Sequence, residues 1–326
     1  MSFPEIPVGP PSPEPGRAGA PGGFDALAAQ FARDYLRDRR SERRWRVFFR
    51  LVWLLLFGVL LFLLWTQRNN AAVPTGPHTA LIEIRGEIDA GSEASAENLV
   101  SAIKGAFEDS SAQAVVLRIN SPGGSPVQAG IVNDEIRRLK ALHKKKIYAV
   151  VEDTCASGAY YIAVATDEIY ADKASIVGSI GVLIDGFGFV GTMEKLGVER
   201  RMLTAGDNKG MLDPFSPQSD KQLAYAQAMI DQIHQQFIAV VKQGRGARLK
   251  ETPETFSGLF WNGQQAVDNG LVDHLGNLDY VAREVVKAET IIDYTPRENF
   301  AERLAKRLGA AMGSGAVQAL RSAPLK

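Results

Sequence analysis

The residues with the most chemical potential in this sequence are a serine set among small neighbours and a lysine set among glycines. Ser157 stands in Thr154-Cys155-Ala156-Ser157-Gly158-Ala159-Tyr160-Tyr161, which reads as a strand-to-helix turn. Such a turn exposes a hydroxyl and leaves backbone N–H groups pointing at its surroundings. The plainer role for a serine at a helix start is a cap. Here Ala156, Gly158 and Ala159 leave room for a substrate main chain, and the Gly158 N–H is free to face the group under attack. A nucleophilic serine needs a base. The chain has four histidines, His78, His143, His234 and His274, all in polar or helix-like surroundings. A desolvated lysine is the alternative base. Lys209 lies in Ala205-Gly206-Asp207-Asn208-Lys209-Gly210, just before Leu212-Asp213-Pro214-Phe215. On a surface it would be protonated at neutral pH; only burial lowers a lysine pKa enough for it to accept a proton. Asn208-Lys209 does not start a guanine-reading motif, because Met211 occupies the place of the required aspartate.

A second element is Asn120-Ser121-Pro122-Gly123-Gly124-Ser125, after the strand-like run Ala114–Ile119. Two glycines permit positive φ and leave N–H groups unobstructed, as an anion-binding loop or oxyanion hole requires. An ordinary strand–helix turn with Ser125 as the cap fits the same residues. The loop is not a nucleotide P-loop, since the closing Gly-Lys-Ser/Thr is missing. Cys155 has no basic neighbour to activate it and reads as a small buried residue. As the single cysteine it forms no internal disulfide, and no Cys/His cluster has zinc spacing, so no metal or cofactor is expected. Lys plus Arg balance Asp plus Glu at 37 each, which gives no reason to expect a nucleic-acid partner.

The elements that must position these residues follow from the apolar pattern. Residues 1–46 are Pro/Gly-rich and then basic, with Phe24–Arg44 able to form a short juxtamembrane helix. Leu51–Trp65 carries no charge. Extended to residues 47–66 it is long enough to cross a bilayer, with tryptophans at both ends. The arginines from Arg33 to Arg50 put the N-terminus in the cytoplasm by the positive-inside rule, and everything after the helix on the far side. The length and position of the run, and the lack of a clean cleavage site, favour an anchor over a signal peptide. Residues 67–78 read as a linker. From residue 79 to 295 strands alternate with helices: Ala80–Ile84 then Ala94–Phe107, Ala114–Ile119 then Val127–Leu142, Ile147–Val151 then Gly158–Thr166. This predicts an α/β fold with parallel strands and crossover helices. Short strands are predicted at Glu168–Ala171, Val182–Ile184 and Glu199–Leu203, and a long helix over Gln218–Gln243. Gln264–Asn269 and Leu278–Ala288 read as helical, Leu271–Val272 and Ile291–Tyr294 as extended. Residues 296–326 hold an amphipathic stretch, Arg297–Met312, and a tail.

Four motifs occur in order: Asn120-Ser121-Pro122-Gly123-Gly124, Ala156-Ser157-Gly158-Ala159-Tyr160-Tyr161, Val177-Gly178-Ser179-Ile180-Gly181-Val182, and Gly206 through Lys209 to Asp213-Pro214-Phe215. Together they resemble the signal peptide peptidase A family of bacterial membrane-anchored serine–lysine peptidases, in its short, single-repeat form, over roughly residues 79–290. The resemblance implies a Clp protease/crotonase-like fold preceded by one transmembrane helix. It implies Ser157 as nucleophile, Lys209 as base, Gly124 and Gly158 N–H as the oxyanion hole, and Ser179 as a hydroxyl that holds the lysine. It further implies a homo-oligomer, with the dyad inside one chain or shared between neighbours. The expected substrates are cleaved signal peptides or other short apolar peptides at the periplasmic face of the bacterial inner membrane. Asn208 departs from the aromatic that many relatives carry before the lysine. A crotonase-like acyl-CoA enzyme or a catalytically silent scaffold would share the fold without needing Ser157 and Lys209.

Overall fold

The computed structural model describes residues 45–63 and 76–296, which fall in two units divided near residue 73. The first holds helix α1 (Trp45–Leu63), which is long and apolar enough to cross a membrane, with a mean hydropathy of 2.2. The last residues of the expected span, the helix over Phe24–Arg44 and the stretch Arg297–Met312 lie outside the described residues.

The second unit is built on an eight-stranded sheet. Its central path runs β6 (Phe260–Asn262), β5 (Ile176–Gly178), β3 (Ile147–Ala156), β2 (Ala112–Ser121), β1 (His78–Arg85), β8 (Ile291–Asp293). Strand β4 (Glu168–Ala171) pairs with β3 and with β7 (His274–Leu275). Every pairing is parallel except β5 with β6. This is the parallel α/β sheet with crossover helices that the alternation predicts.

Helices α2 (Ala96–Glu108), α3 (Pro126–His143) and α4 (Gly158–Ala163) cross between the central strands. Ile82, Ile84, Leu117, Ile119, Ala149 and Val151 point into the main core, which these helices help to cover. Each is at most 2% exposed, and burying one isoleucine, leucine or valine side chain contributes about 1.5–3 kcal/mol. The alternate residues Val116 and Val150 face the other side of the sheet, where Tyr170 and Val281 cover them. Both faces of β2 and β3 are therefore apolar along part of their length, as expected of parallel strands between two layers.

Helix α3 starts at Ser125, whose hydroxyl accepts from the Gln128 N–H, with Pro126 in the first turn where its missing N–H costs nothing. Helix α6 (Asp220–Arg245) is capped in the same way by Ser219. Its residues Ala226, Ile230, Ile233, Phe237 and Val241 recur at intervals of three and four, so they share one face. The C-terminal end of α6 is pinned by Arg245, 2% exposed, which donates two 2.8 Å bonds to the Asp273 carboxylate and a third to Gly270 O.

The sequence expectations hold for the long elements and fail between residues 179 and 219. Val182–Ile184 and Glu199–Leu203 are not strands, while β5, β6 and the short helix α5 (Val190–Leu196) are additional. Leu271–Val272 is a bend, with the strand displaced to β7. Leu278–Tyr280 continues into a π-helical turn over Val281–Val286 rather than a regular helix. A third short helix, α7 (Gly263–Asp268), opens with a capping box between Asn262 and Gln265.

Candidate active site

Three adjacent parallel strands end at the same edge of the sheet, and each delivers part of one site. Strand β2 ends at Ser121, paired with Cys155 of β3, and β3 ends at Ala156, paired with Gly178 of β5. The next residues are the Gly123-Gly124 loop, Ser157 and Ser179. Loops beyond the carboxyl ends of parallel strands are where open α/β sheets bind their ligands.

Ser157 has φ 52° and ψ −123°, an unusual conformation for a residue with a side chain. It is held from both sides. Its N–H donates to Gly178 O at 2.8 Å, and its carbonyl accepts the first bond of α4 from the Tyr161 N–H at 3.0 Å. Such strain costs about 1–3 kcal/mol and persists only where neighbours over-determine it. The result is a sharp strand-to-helix turn with the serine at its tip, the geometry that presents a nucleophile. Its hydroxyl makes no capping bond, and the residue is half-buried.

The glycine loop lies directly against this turn. Gly123 has φ 102°, and a Cβ built there would sit 2.7 Å from both the Gly158 nitrogen and the Ser157 Cβ. Gly124 has φ 148° and packs against the main chain of Ile88, where a Cβ would come within 2.2 Å of the carbonyl oxygen. Ile88 clamps the loop with two 2.8 Å bonds, donating to Gly123 O and accepting from the Ser125 N–H. These bonds leave the Gly124 N–H unused. The Gly158 N–H, at the first position of α4, is likewise without an acceptor among the described residues. A Cβ on Gly158 would lie 3.3 Å from the Gly124 nitrogen, so the two free donors are close neighbours. Paired backbone donors of this kind bind developing negative charge.

A groove of about 650 Å³ opens over these residues. Gly124, Ser157, Gly158 and Ser179 all line it. Its walls are Val182, Leu183 and Ile184 after β5, Ile230, Ile233 and Phe237 from α6, and Tyr161, with Glu87 beside Ile88. Ser179 has φ 52° and is fixed by its N–H, which donates to Leu259 O at 2.8 Å. None of the four histidines lines the groove, and the ring of His234 bonds instead to Ile180 O at 3.1 Å. Cys155 is fully buried, and desolvation pushes its thiol well above the ordinary cysteine range, which leaves it inert.

Lys209 is not brought to the groove. It sits in an exposed turn, its N–H donating to Gly206 O at 3.1 Å, and its ammonium has no partner among the described residues. The sequence therefore located four members of this cluster. It missed Glu87 and the apolar wall from α6; the i, i+3, i+4 spacing of the apolar residues of α6 is the signal that could have found the wall. A larger cleft of about 800 Å³ lies on the opposite face of the sheet. There Arg85 pairs with Glu83 and Glu152 at 3.3 and 3.5 Å, and Asn120 bonds Asp153 at 2.8 Å, so its charged groups largely satisfy one another.

Comparison with known proteins bears on the family of the chain. The model of peptidase family S49 matches residues 140–291. A Synechocystis sp. protein named as a protease is 32% identical over 197 residues, covering 60% of this chain and 69% of that protein. An Enterococcus faecium protein named as a signal peptide peptidase SppA is 33% identical over 199 residues, covering 61% of this chain and 58% of that protein. The chain belongs to peptidase family S49, with the signal peptide peptidase A proteins. A Brucella melitensis protein named as a Na(+)/H(+) antiporter NhaA is 50% identical over 173 residues, 53% of this chain. The chain spans only 24% of that protein and 29% of its Brucella abortus counterpart. Among the described residues, one helix is long and apolar enough to cross a membrane.

Proposed function

We propose that this chain is a membrane-anchored serine endopeptidase that hydrolyses short apolar peptides, with cleaved signal peptides as the leading class, at the extracytoplasmic face. The observation that carries the reading is the strained Ser157 turn beside two unused backbone donors, at the floor of an apolar groove. Ser157 Oγ attacks the scissile carbonyl and gives its proton to the neutral amine of Lys209. The Gly124 and Gly158 N–H groups hold the oxyanion, the amine of the leaving fragment takes the proton, and water then hydrolyses the acyl-enzyme. Ser179 accepts a hydrogen bond from the lysine and orients it. Two backbone donors and a neutral lysine supply what the reaction needs, so it requires no metal or cofactor.

Lys209 reaches Ser157 in this reading from a neighbouring copy of the chain in a homo-oligomer. Two features support that. The lysine is exposed and unpartnered, and the segment bearing it is unusually apolar for a surface. Leu183, Phe187, Leu196 and Leu203 are each more than 70% exposed, and α5 buries none of its residues. Exposed apolar side chains in such density mark interaction surfaces. Helix α1 supplies the anchor, and the preceding arginines set the orientation.

Labelling with a serine-reactive fluorophosphonate tests the core of the proposal. The full chain in detergent takes up the label with peptide hydrolysis lost in step, and Ser157→Ala does neither. Equal labelling and turnover by Ser157→Ala would remove the serine from its role.

A further inference from the structure

Among the described residues that line the groove, Glu87 carries the one formally charged side chain. Its position is fixed through its neighbour Ile88, whose main chain clamps Gly123 and Ser125 at 2.8 Å and packs on Gly124. The carboxylate is therefore tethered to the same rigid loop that offers the Gly124 donor. It is exposed and has no hydrogen bond or ion pair among the described residues. Acidic neighbours differ in this respect. Glu83 pairs with Arg118 and Arg85, Glu152 pairs with Arg85, and Asp89 accepts from the Gly91 N–H at 3.2 Å. Structural requirements thus account for the nearby carboxylates and leave Glu87 without a protein partner.

We propose that Glu87 is a specificity residue that receives a cationic group of the substrate while the α6 wall receives aliphatic side chains. The inference rests on the peptidase reading above and narrows it. The preferred substrate is an apolar peptide carrying a lysine, an arginine or a free α-amine close to the scissile bond. Leaders of exported proteins combine these features, a basic segment followed by an apolar one. The groove matches both parts. Ile230, Ile233 and Phe237 present hydrocarbon. Glu87 presents an uncompensated negative charge at the mouth, where desolvation of the incoming cation is incomplete and the cost of pairing is low.

The test uses purified full chain in detergent and matched fluorogenic apolar peptides. In each set one residue flanking the cleavage point is lysine, norleucine or glutamate, with the N-terminus either free or acetylated. The readout is the ratio of kcat/KM for cationic over neutral peptide. In the wild type the ratio is expected at about threefold to fivefold, the range of a single partly exposed ion pair. It shrinks as ionic strength rises from about 0.05 to about 0.5 M. Glu87→Gln brings the ratio close to unity, mainly through KM, and Glu87→Lys reverses it in favour of the glutamate peptide. The same ratio in acetylated peptides assigns the cation to the side chain; a free-over-acetylated ratio of that size for the norleucine peptide, lost in Glu87→Gln, assigns it to the α-amine. Wild-type ratios near unity both for lysine over norleucine and for free over acetylated N-terminus, or a preference unchanged in a Glu87→Gln protein with native circular dichroism, would overturn the proposal. So would an equal fall in kcat for all three peptides, since that marks a structural role. These failures leave Ser157-dependent cleavage intact. Failure of the peptidase reading itself shows differently, as no cleavage that Ser157→Ala abolishes.

Discussion

Replacing Gly124 with alanine tests the oxyanion hole with one methyl group. The new Cβ would lie 2.2 Å from Ile88 O and 2.9 Å from Ile88 C and N, at a φ of 148°. A carbon–oxygen contact needs about 3.3–3.6 Å, so the loop or Ile88 must retreat by about 1 Å. Ile88 cannot yield easily, because both its main-chain bonds to the loop are 2.8 Å long. The loop moves instead and carries the Gly124 N–H away from the Gly158 N–H. Loss of one such donor costs about 2.7–4 kcal/mol in the transition state, a fall of roughly 10²–10³ in kcat. The backbone penalty itself is about 1–3 kcal/mol, which a domain with the usual 5–15 kcal/mol of stability survives. The assay is kcat on an apolar fluorogenic peptide beside a thermal melt. Gly130→Ala is the control: the residue lies within α3 with nothing within 4 Å of the added methyl. There alanine stabilises by about 0.8–1 kcal/mol relative to glycine and activity stays at the wild-type value. A folded Gly124→Ala protein turning over within about threefold of wild type would refute the assignment, since no displaced donor is that mild.

Two further predictions address the assembly and the scaffold. Ser157→Ala and Lys209→Ala are each inactive. Mixed under subunit exchange they regain part of the activity, because roughly a quarter of the interfaces pair an intact serine with an intact lysine; no recovery despite demonstrated exchange places the dyad in one chain. Asp273→Ala leaves Arg245, 2% exposed, without its carboxylate, and lowers stability in denaturant unfolding by about 3–5 kcal/mol. Burial raises the Asp273 pKa, but the hydrogen bonds and charge of Arg245 outweigh it and hold the carboxyl below the usual carboxylate range. A folded pKa below the unfolded one stabilises fully above the unfolded value near about 4. That contribution is lost as pH falls through the lower folded value, so acid unfolding of Asp273→Ala should be shallower below about pH 4 than that of wild type.

The sheet was legible because its strands are long, apolar and separated by amphipathic helices. Ile147–Val151 and Ala114–Ile119 read as buried strands whatever their neighbours. The serine half of the site was legible for a related reason: Ser157 and Gly123-Gly124 stand at strand ends, where small residues and glycines have a backbone purpose. The segment after Ser179 was not. Val182–Ile184 is a short apolar run, the usual mark of a strand, and Glu199–Leu203 ends on the apolar pair Met202-Leu203, yet Leu183 is 76% exposed and Leu203 fully so. An apolar run specifies that something covers it, not that the covering comes from strand partners in the same sheet. The α6 wall was half legible, since its stripe shows a buried face but not that part of this face borders a groove. Glu87 was illegible, because an exposed glutamate carries no signal until its neighbours are known to be paired and it is not.

The two halves of the proposed dyad differ in how they are held. Ser157 is fixed by β3, β5 and α4, the glycine loop is clamped by Ile88, and the residues beneath them are almost fully buried. The strained serine conformation therefore needs no substrate and no neighbour to form. Lys209 lies on an excursion whose helix α5 buries nothing and whose large apolar side chains face outward. Few buried contacts mean low local stability, so by itself this segment supplies no desolvated site of the kind a lysine base requires. Association would cover the apolar side chains and remove water from the lysine in one step. Burial of the excursion and creation of the base are then the same event. An isolated copy would carry a complete nucleophile and oxyanion site and still be silent, which would keep the serine of newly made chains from cutting peptides before the chains assemble.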